Sequence, residues 1–332
     1  MRRAEIEKRL PTCLLVLALL CGLSACGGGS EGSPPAPDAG GISLAQRSQA
    51  ASSTAASHAA CTAVQPFYWE IGDAQGLLAS GRAGGDSYDA ASSMHIASAS
   101  KWLYAAYVAQ KRAGQLSTAD IKALHFQSGY TNFSSCLPGQ TVAACAAMAD
   151  NGLYRASEDG LFHYGGGHMQ QHALNLGLGA LDNAGLATEL RSQLGSEMGL
   201  SFSQPQPAGG VVSTAADYAR FLRKLLKGEL HLGRLLGSQA VCTNPIYCAQ
   251  ASYSPSPANE QWHYSLGHWV EDDPAVGDGA FSSPGAFGFY PWIAAGKTHY
   301  GILARRDGVG SGFDSVRCGR QIRKAWFAGV AV

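Results

Sequence analysis

The chain has 332 residues, 24 of them Lys or Arg and 24 Asp or Glu, so its formal net charge is zero. Charged residues make up only 14% and 42 residues are glycine; with no Lys/Arg run to attract phosphates, an electrostatic nucleic-acid binder is excluded. The length permits one large domain or two lobes sharing a core.

At the N-terminus, the basic residues Arg2, Arg3, Lys8 and Arg9 precede an apolar run, Cys13 to Leu23. That run is shorter than the roughly 20 apolar residues a spanning helix needs. It reads as the core of a secretory signal over residues 1–25. Leu23-Ser24-Ala25-Cys26 resembles the bacterial lipobox, which implies acylation of Cys26 and anchoring to the membrane by lipid rather than by a helix. Gly27 is not acidic, and by the same resemblance this points to the outer membrane. Residues 26–60 are mostly Gly, Ser, Ala and Pro, a composition that predicts a disordered tether. Within it Gly28-Gly29-Ser30-Glu31-Gly32 matches G-x-S-x-G, but neither the strand nor the helix that motif needs is present.

The folded part is expected over residues 61–332. Phe67 to Ile71 and Leu77 to Gly81 read as a hairpin around Gly72-Asp73 and Gly76. Ser98 to Ala113 reads as a buried helix, with Trp102, Leu103, Ala105, Ala106, Val108 and Ala109 giving it a wide apolar face. Gly114 ends it. A mainly helical lobe is expected over about 116–204, broken at Gly129, Gly139 and Gly160. Helical patterns fall at 168–179, 184–194 and 215–227, the last capped by Ser213-Thr214. Trp262 to Val270, Ala286 to Ala294 and His299 to Arg305 read as strands, and Ser315 to Phe327 as a closing helix. The early hairpin must meet the late strands to complete a sheet. The fold class is therefore α/β (α+β): an antiparallel sheet built from both termini, flanked by helices, beside an inserted helical lobe.

Six cysteines follow Cys26. An even number in an oxidising compartment points to disulfides, and six cysteines allow fifteen pairings among which sequence does not choose. Cys136/Cys145 and Cys242/Cys248 each bracket a short loop, which leaves Cys61 with Cys318. With no C-x-x-C pair, zinc is not expected. His163, His168 and His172 lack the Glu of H-E-x-x-H and are expected on a helix surface, not at a metal. Asp272-Asp273 reads as an exposed turn.

Ser98-Ala99-Ser100-Lys101 is an S-x-x-K motif. At i and i+3 on a helix the two side chains share a face. The helix N-terminus favours a developing alkoxide on Ser98, and a partly desolvated Lys101 can exchange protons with it. Alone the motif is weak, since a capped helix with a solvated lysine produces it too. Its company is more specific. His95 to Lys101, Gln127-Ser128-Gly129-Tyr130, Gly209-Gly210-Val211-Val212-Ser213-Thr214-Ala215-Ala216-Asp217 and Leu266-Gly267-His268-Trp269 occur in order. Together they resemble the serine β-lactamase and penicillin-binding superfamily, and more narrowly the class C β-lactamases and their esterase relatives.

The resemblance implies a second element at His163-Tyr164-Gly165-Gly166. Tyr164 would be the general base, its phenol brought down from about 10 by nearby cations, Lys101 above all. Gly166 stands where the family has a substrate-binding Asn. The third element falls at Ser283-Pro284-Gly285, without the family's Lys or His, so that Ser283 and Gly285 would line the substrate. The backbone N–H groups of Ser98 and Ala286 would form the oxyanion hole. No cofactor is implied. The expected function is hydrolysis through an acyl-Ser98 intermediate, as a carboxylesterase on small esters, because both polar anchors of the β-lactamase pattern are missing. The alternatives are an amide hydrolase of the same fold (a β-lactamase, a DD-peptidase or an enzyme like 6-aminohexanoate dimer hydrolase) and a non-catalytic envelope lipoprotein.

Overall fold

The computed structural model of the protein describes residues 41–307 and 312–332. The signal segment and Cys26 lie outside the described residues. In chain order, helices α1 (Leu44–Ser57) and α2 (Ala59–Thr62) precede the hairpin β1 (Phe67–Asp73) and β2 (Leu77–Ala83). Then come β3 (Met94–His95), a 3-10 turn at Ala97–Ala99 and α3 (Ser100–Lys111). The middle holds α4 (Thr118–Leu124), α5 (Val142–Ala146), β4 (Phe162–His163), α6 (Gly167–Asn175) and α7 (Asn183–Leu194). After β5 (Leu200–Phe202) and β6 (Val211–Ser213) come α8 (Ala215–Leu226) and α9 (Leu232–Leu235). The last part runs β7 (Val241–Cys242), β8 (Ala251–Tyr253), β9 (His263–Ser265), β10 (His268–Glu271), β11 (Ala280–Ser282), β12 (Tyr290–Ile293), β13 (His299–Ala304) and α10 (Gly312–Ala328).

The main sheet has eight strands in the order β2-β1-β13-β12-β11-β10-β9-β7. β1 pairs antiparallel with β13, placing Trp69 opposite Leu303, so strands from the two ends of the chain do complete one sheet. Arg320 and Arg323 of α10 fasten that helix to the sheet through buried ion pairs with Glu271 of β10. All three cysteine pairs are at disulfide distance: Cys61–Cys318, Cys136–Cys145 and Cys242–Cys248. The first ties α2 to α10.

The tether expectation fails for its second half. Residues Leu44–Ser57 form α1, begun by a capping box between Ser43 and Gln46. Ala50, Ala51, Thr54 and Ala55 are its buried face. Small side chains let it lie close against α10, where Arg47 donates to the Trp326 carbonyl at 3.0 Å. A core contact made by alanines looks, in composition, like a segment with nothing to bury.

Two strand boundaries also move. Gly267 takes φ +70° and turns the chain between β9 and β10, so Trp262 to Val270 is a hairpin rather than one strand. A Cβ there would stand 2.7 Å from the Lys101 carbonyl, which shows how closely this turn abuts α3. Strand structure after Gly285 begins only at Tyr290, because Gly285 to Gly288 close a turn. The middle lobe is less helical than expected: between α4 and α6 the only α-helix among the described residues is the short α5, with a 3-10 turn at Ala156–Glu158 and β4 set in long loops and Gly129, Gly139 and Gly160 all at positive φ.

Candidate active site

Ser98 sits in the 3-10 turn that leads into α3, two residues before the α-helix begins at Ser100. Ala97 before it takes φ +45°, a conformation costly for an alanine. The surroundings enforce it. The Ile96 N–H donates to the Val211 carbonyl at 3.1 Å, and the Val211 N–H to Ser100 Oγ at 3.2 Å. Tyr218 OH donates to the Ala99 carbonyl at 2.8 Å, and Ser283 Oγ to the Ser98 carbonyl at 3.0 Å. A Cβ on Gly285 would collide with the Ile96 carbonyl. β6, α8 and the Ser283–Gly285 segment thus hold the serine's backbone from several sides, which gives the Gly209–Asp217 and Ser283–Gly285 motifs a physical purpose.

Lys101 lies one turn on, 5% exposed. Its Nζ is 2.9 Å from Ser98 Oγ and donates to the Ala208 carbonyl at 2.7 Å. Burial pulls its pKa down to about 7. At neutral pH a large share of Lys101 is therefore the free amine, able to accept the Ser98 proton. The rings of Tyr164 and Phe126 lie 4.8 and 6.0 Å from Nζ and keep water from it.

Tyr164 enters from the residue after β4, where its N–H donates to the Tyr253 carbonyl at 3.0 Å. Its ring stacks on Trp269, 5.2 Å away, and meets Phe126 edge-on. Burial pushes its phenol up to about 12, with the Ser98 hydroxyl and the Trp269 indole partly offsetting the rise. This runs opposite to the sequence expectation of a base with a lowered pKa. The apolar walls around the ring disfavour a tyrosinate.

Ser98 and Tyr164 share a cavity of about 130 Å³ with Pro255, Trp269, Pro284 and Phe313. Ala286 is on its lining and exposed. Ser98 stands at the start of a helical turn, where N–H groups lack intrahelical acceptors. The lining contains no Lys, Arg or His among the described residues.

The remaining expected site residues divide. Gly285 underlies the nucleophile, as its contact with Ile96 shows. Ser283 is buried and its hydroxyl is engaged by the Ser98 backbone, so it braces the nucleophile instead of facing substrate. Gly166 lies under the Phe133 ring and the Gln206 amide. The histidines are a correction: His168 and His172 are buried, not on a helix surface. His168 bonds Ser128 and the His163 carbonyl, and His172 bonds Tyr104 and Asp120. Burial drives His168 down to about 3. Among the described residues no cluster is placed to hold a metal ion. Asp273 is likewise buried, accepting the Ala275 and Val276 N–H groups. Sequence reasoning assigned no role to Phe126, Ala208 or Trp269, although each lies in or beside a recognised motif.

No protein-family profile matches the chain, and no curated protein matches it in sequence. Solved structures do. The D-amino acid amidase from Ochrobactrum anthropi SV3 superposes with a TM-score of 0.60 at 14% identity, over 84% of this chain and 98% of that one. A β-lactamase from Mycobacterium bovis gives 0.53 at 16% identity, over 81% and 96%. EstCE1, a hydrolase with promiscuous acyltransferase activity, gives 0.54 at 15% identity, over 86% and 98%. At such identities the likeness speaks to architecture, and the architecture of this chain is the β-lactamase/transpeptidase-like fold.

Proposed function

We propose that this chain is a serine hydrolase acting through an acyl-Ser98 intermediate, and that its substrates are small carboxylic esters. The observation that carries the reading is the 2.9 Å approach of Ser98 Oγ to a buried Lys101 Nζ with a pKa near 7. Lys101 takes the Ser98 proton as Oγ bonds the ester carbonyl carbon. The carbonyl π pair moves to oxygen, where the N–H groups of Ser98 and Ala286 receive it. Collapse breaks the bond to the alcohol, whose oxygen takes the Tyr164 hydroxyl proton. Tyr164 recovers a proton from the Lys101 ammonium. Water then attacks the acyl carbonyl as Tyr164 takes its proton and passes its own to the Lys101 amine; the tetrahedral carbon releases Ser98 Oγ, which regains its proton from the Lys101 ammonium, so protons and charge balance over the cycle. A phenol held near 12 suits a donor.

The ester assignment rests on the cavity. Its volume of about 130 Å³ is small beside the roughly 300–1,000 Å³ of pockets for drug-sized ligands. Its lining offers aromatic and proline surface and, among the described residues, no cation for a substrate carboxylate. The reading extends to location: an exported enzyme, lipid-anchored through Cys26 in the bacterial envelope. Support comes from the Leu23–Cys26 segment and from three cysteine pairs of the kind that persist in oxidising compartments.

Short-chain nitrophenyl esters, a chromogenic cephalosporin and a D-Ala-D-Ala peptide, compared by kcat/KM, test the substrate class. The esters are expected to lead. A cephalosporin or peptide turned over faster than any ester would replace the esterase reading with the amide-hydrolase one.

A further inference from the structure

The cavity beside Ser98 is closed by aromatic rings. Trp269 and Phe313, both buried, lie on its lining and meet edge-on at 6.0 Å. Trp262, outside the lining, packs edge-on against both, 5.3 Å from Phe313 and 5.7 Å from Trp269. Trp262 is fixed in turn. Its Nε1–H donates to Glu260 Oε2 at 2.8 Å, and the Arg320 guanidinium, paired with the same carboxylate at 3.1 Å, lies 5.4 Å from its ring. The wall is also tied to the nucleophile. A Cβ on Gly312 would collide with the Gly285 carbonyl, so the first turn of α10, which carries Phe313, packs directly on the segment that supports Ser98.

The reaction decides which arm of an ester enters this recess. After the alcohol leaves, water must take its place beside the Tyr164 hydroxyl, so the leaving side has to stay open to solvent. Ser98 and Tyr164 are both partly exposed. The acyl group, by contrast, stays bonded to Ser98 Oγ through both halves of the cycle. A recess walled by tryptophan, phenylalanine and proline suits the arm that stays, because burying its methylenes there removes them from water. The recess is short. At roughly 30 Å³ per heavy-atom group, the share a water molecule takes in the liquid, its volume of about 130 Å³ holds about four groups.

We propose that this recess is the acyl pocket and that Phe313 sets its length, so that the enzyme takes straight acyl chains up to about butanoyl and rejects hexanoyl and longer ones. Trp269 is committed to stacking on Tyr164, which leaves Phe313 as the side chain whose size can change the depth without touching the proton donor. The inference rests on the acyl-Ser98 reading and narrows its substrate class.

The test compares nitrophenyl acetate, butanoate and hexanoate by kcat/KM in wild type, Phe313→Leu and Phe313→Ala, beside butyl and hexyl acetate followed by acetate release. Ratios between esters are taken within one preparation of each protein, so any loss of folded enzyme cancels. Wild type is expected to prefer butanoate to hexanoate. In Phe313→Ala the hexanoate-to-butanoate ratio is expected to rise about tenfold, the worth of burying two further methylenes. Phe313→Leu should rise less, and the hexyl-to-butyl acetate ratio should stay at its wild-type value in both. A wild type that takes hexanoate as well as butanoate, or variants whose acyl ratio does not move, overturns the assignment of Phe313 and leaves the acyl-serine reading standing. A rise in the hexyl-to-butyl acetate ratio instead would put the alcohol in the recess and overturn it equally. A wild type that turns over none of these esters overturns both.

Discussion

Lys101→Met is expected to lower the rate of Ser98 acylation by about 10³-fold, within the range that removal of a general base produces. Met matches the lysine stem in length, so the packing around α3 is retained. What disappears is the proton acceptor 2.9 Å from Ser98 Oγ. The pH dependence follows from the same residue. Its folded pKa of about 7 lies below the usual lysine value, so the free amine, the active form, accumulates as pH rises. Wild-type kcat/KM should increase about tenfold per pH unit below about 7 and level off above it; the residual activity of Lys101→Met should lack that rise. Stability should also rise with pH, but in the window above about 7. A lysine whose pKa is depressed on folding destabilises the protein while it is charged, and that burden is relieved as pH rises from about 7 towards the unfolded value. At pH 6 the Met variant should therefore melt at or above the wild-type temperature. A variant that is both inactive and strongly destabilised would mean that Lys101 is a structural residue.

Cys61→Ala/Cys318→Ala is expected to cost about 2–5 kcal/mol and lower the melting temperature by about 3–8 °C. This pair joins residues 257 apart in sequence, against 9 and 6 for the other two. In the chain-entropy account a longer closed loop removes more freedom from the unfolded chain. The cross-link also fastens α2 and α10, the ends between which the β1–β13 pairing is made. A thermal melt settles the comparison with Cys242→Ala/Cys248→Ala. If the short-loop variant loses as much as the long-loop one, the entropic account of this link is wrong.

What could be read from sequence was what depends on local pattern. The Phe67–Ile71 strand, the Ser98–Lys101 spacing and the Thr214 cap each leave a signature within a few residues, and each is where expected. The meeting of early and late strands followed from the need to complete a sheet. What escaped depends on partners far away in the chain. α1 is held by alanines against α10, so its burial has no hydrophobic signature of its own. His168 and His172 are spaced like a surface pair, yet Ser128 and Asp120 draw them inside. Ser283 is expected from sequence to line the substrate, but the structure turns its hydroxyl to the Ser98 carbonyl. The Tyr164 phenol is pushed up rather than down for a similar reason. Burial is the main cause, and the rings of Trp269, Phe126 and Tyr264 that bury it are not near it in sequence.

The central claim is that Ser98 forms the covalent intermediate. Intact-mass analysis after incubation with an active-serine acylating or phosphonylating probe, followed by peptide mapping, measures this directly. Wild type should gain one adduct on the peptide containing Ser98, and Ser98→Ala should gain none. An unlabelled wild type, or a Ser98→Ala protein that still carries the adduct, would contradict it.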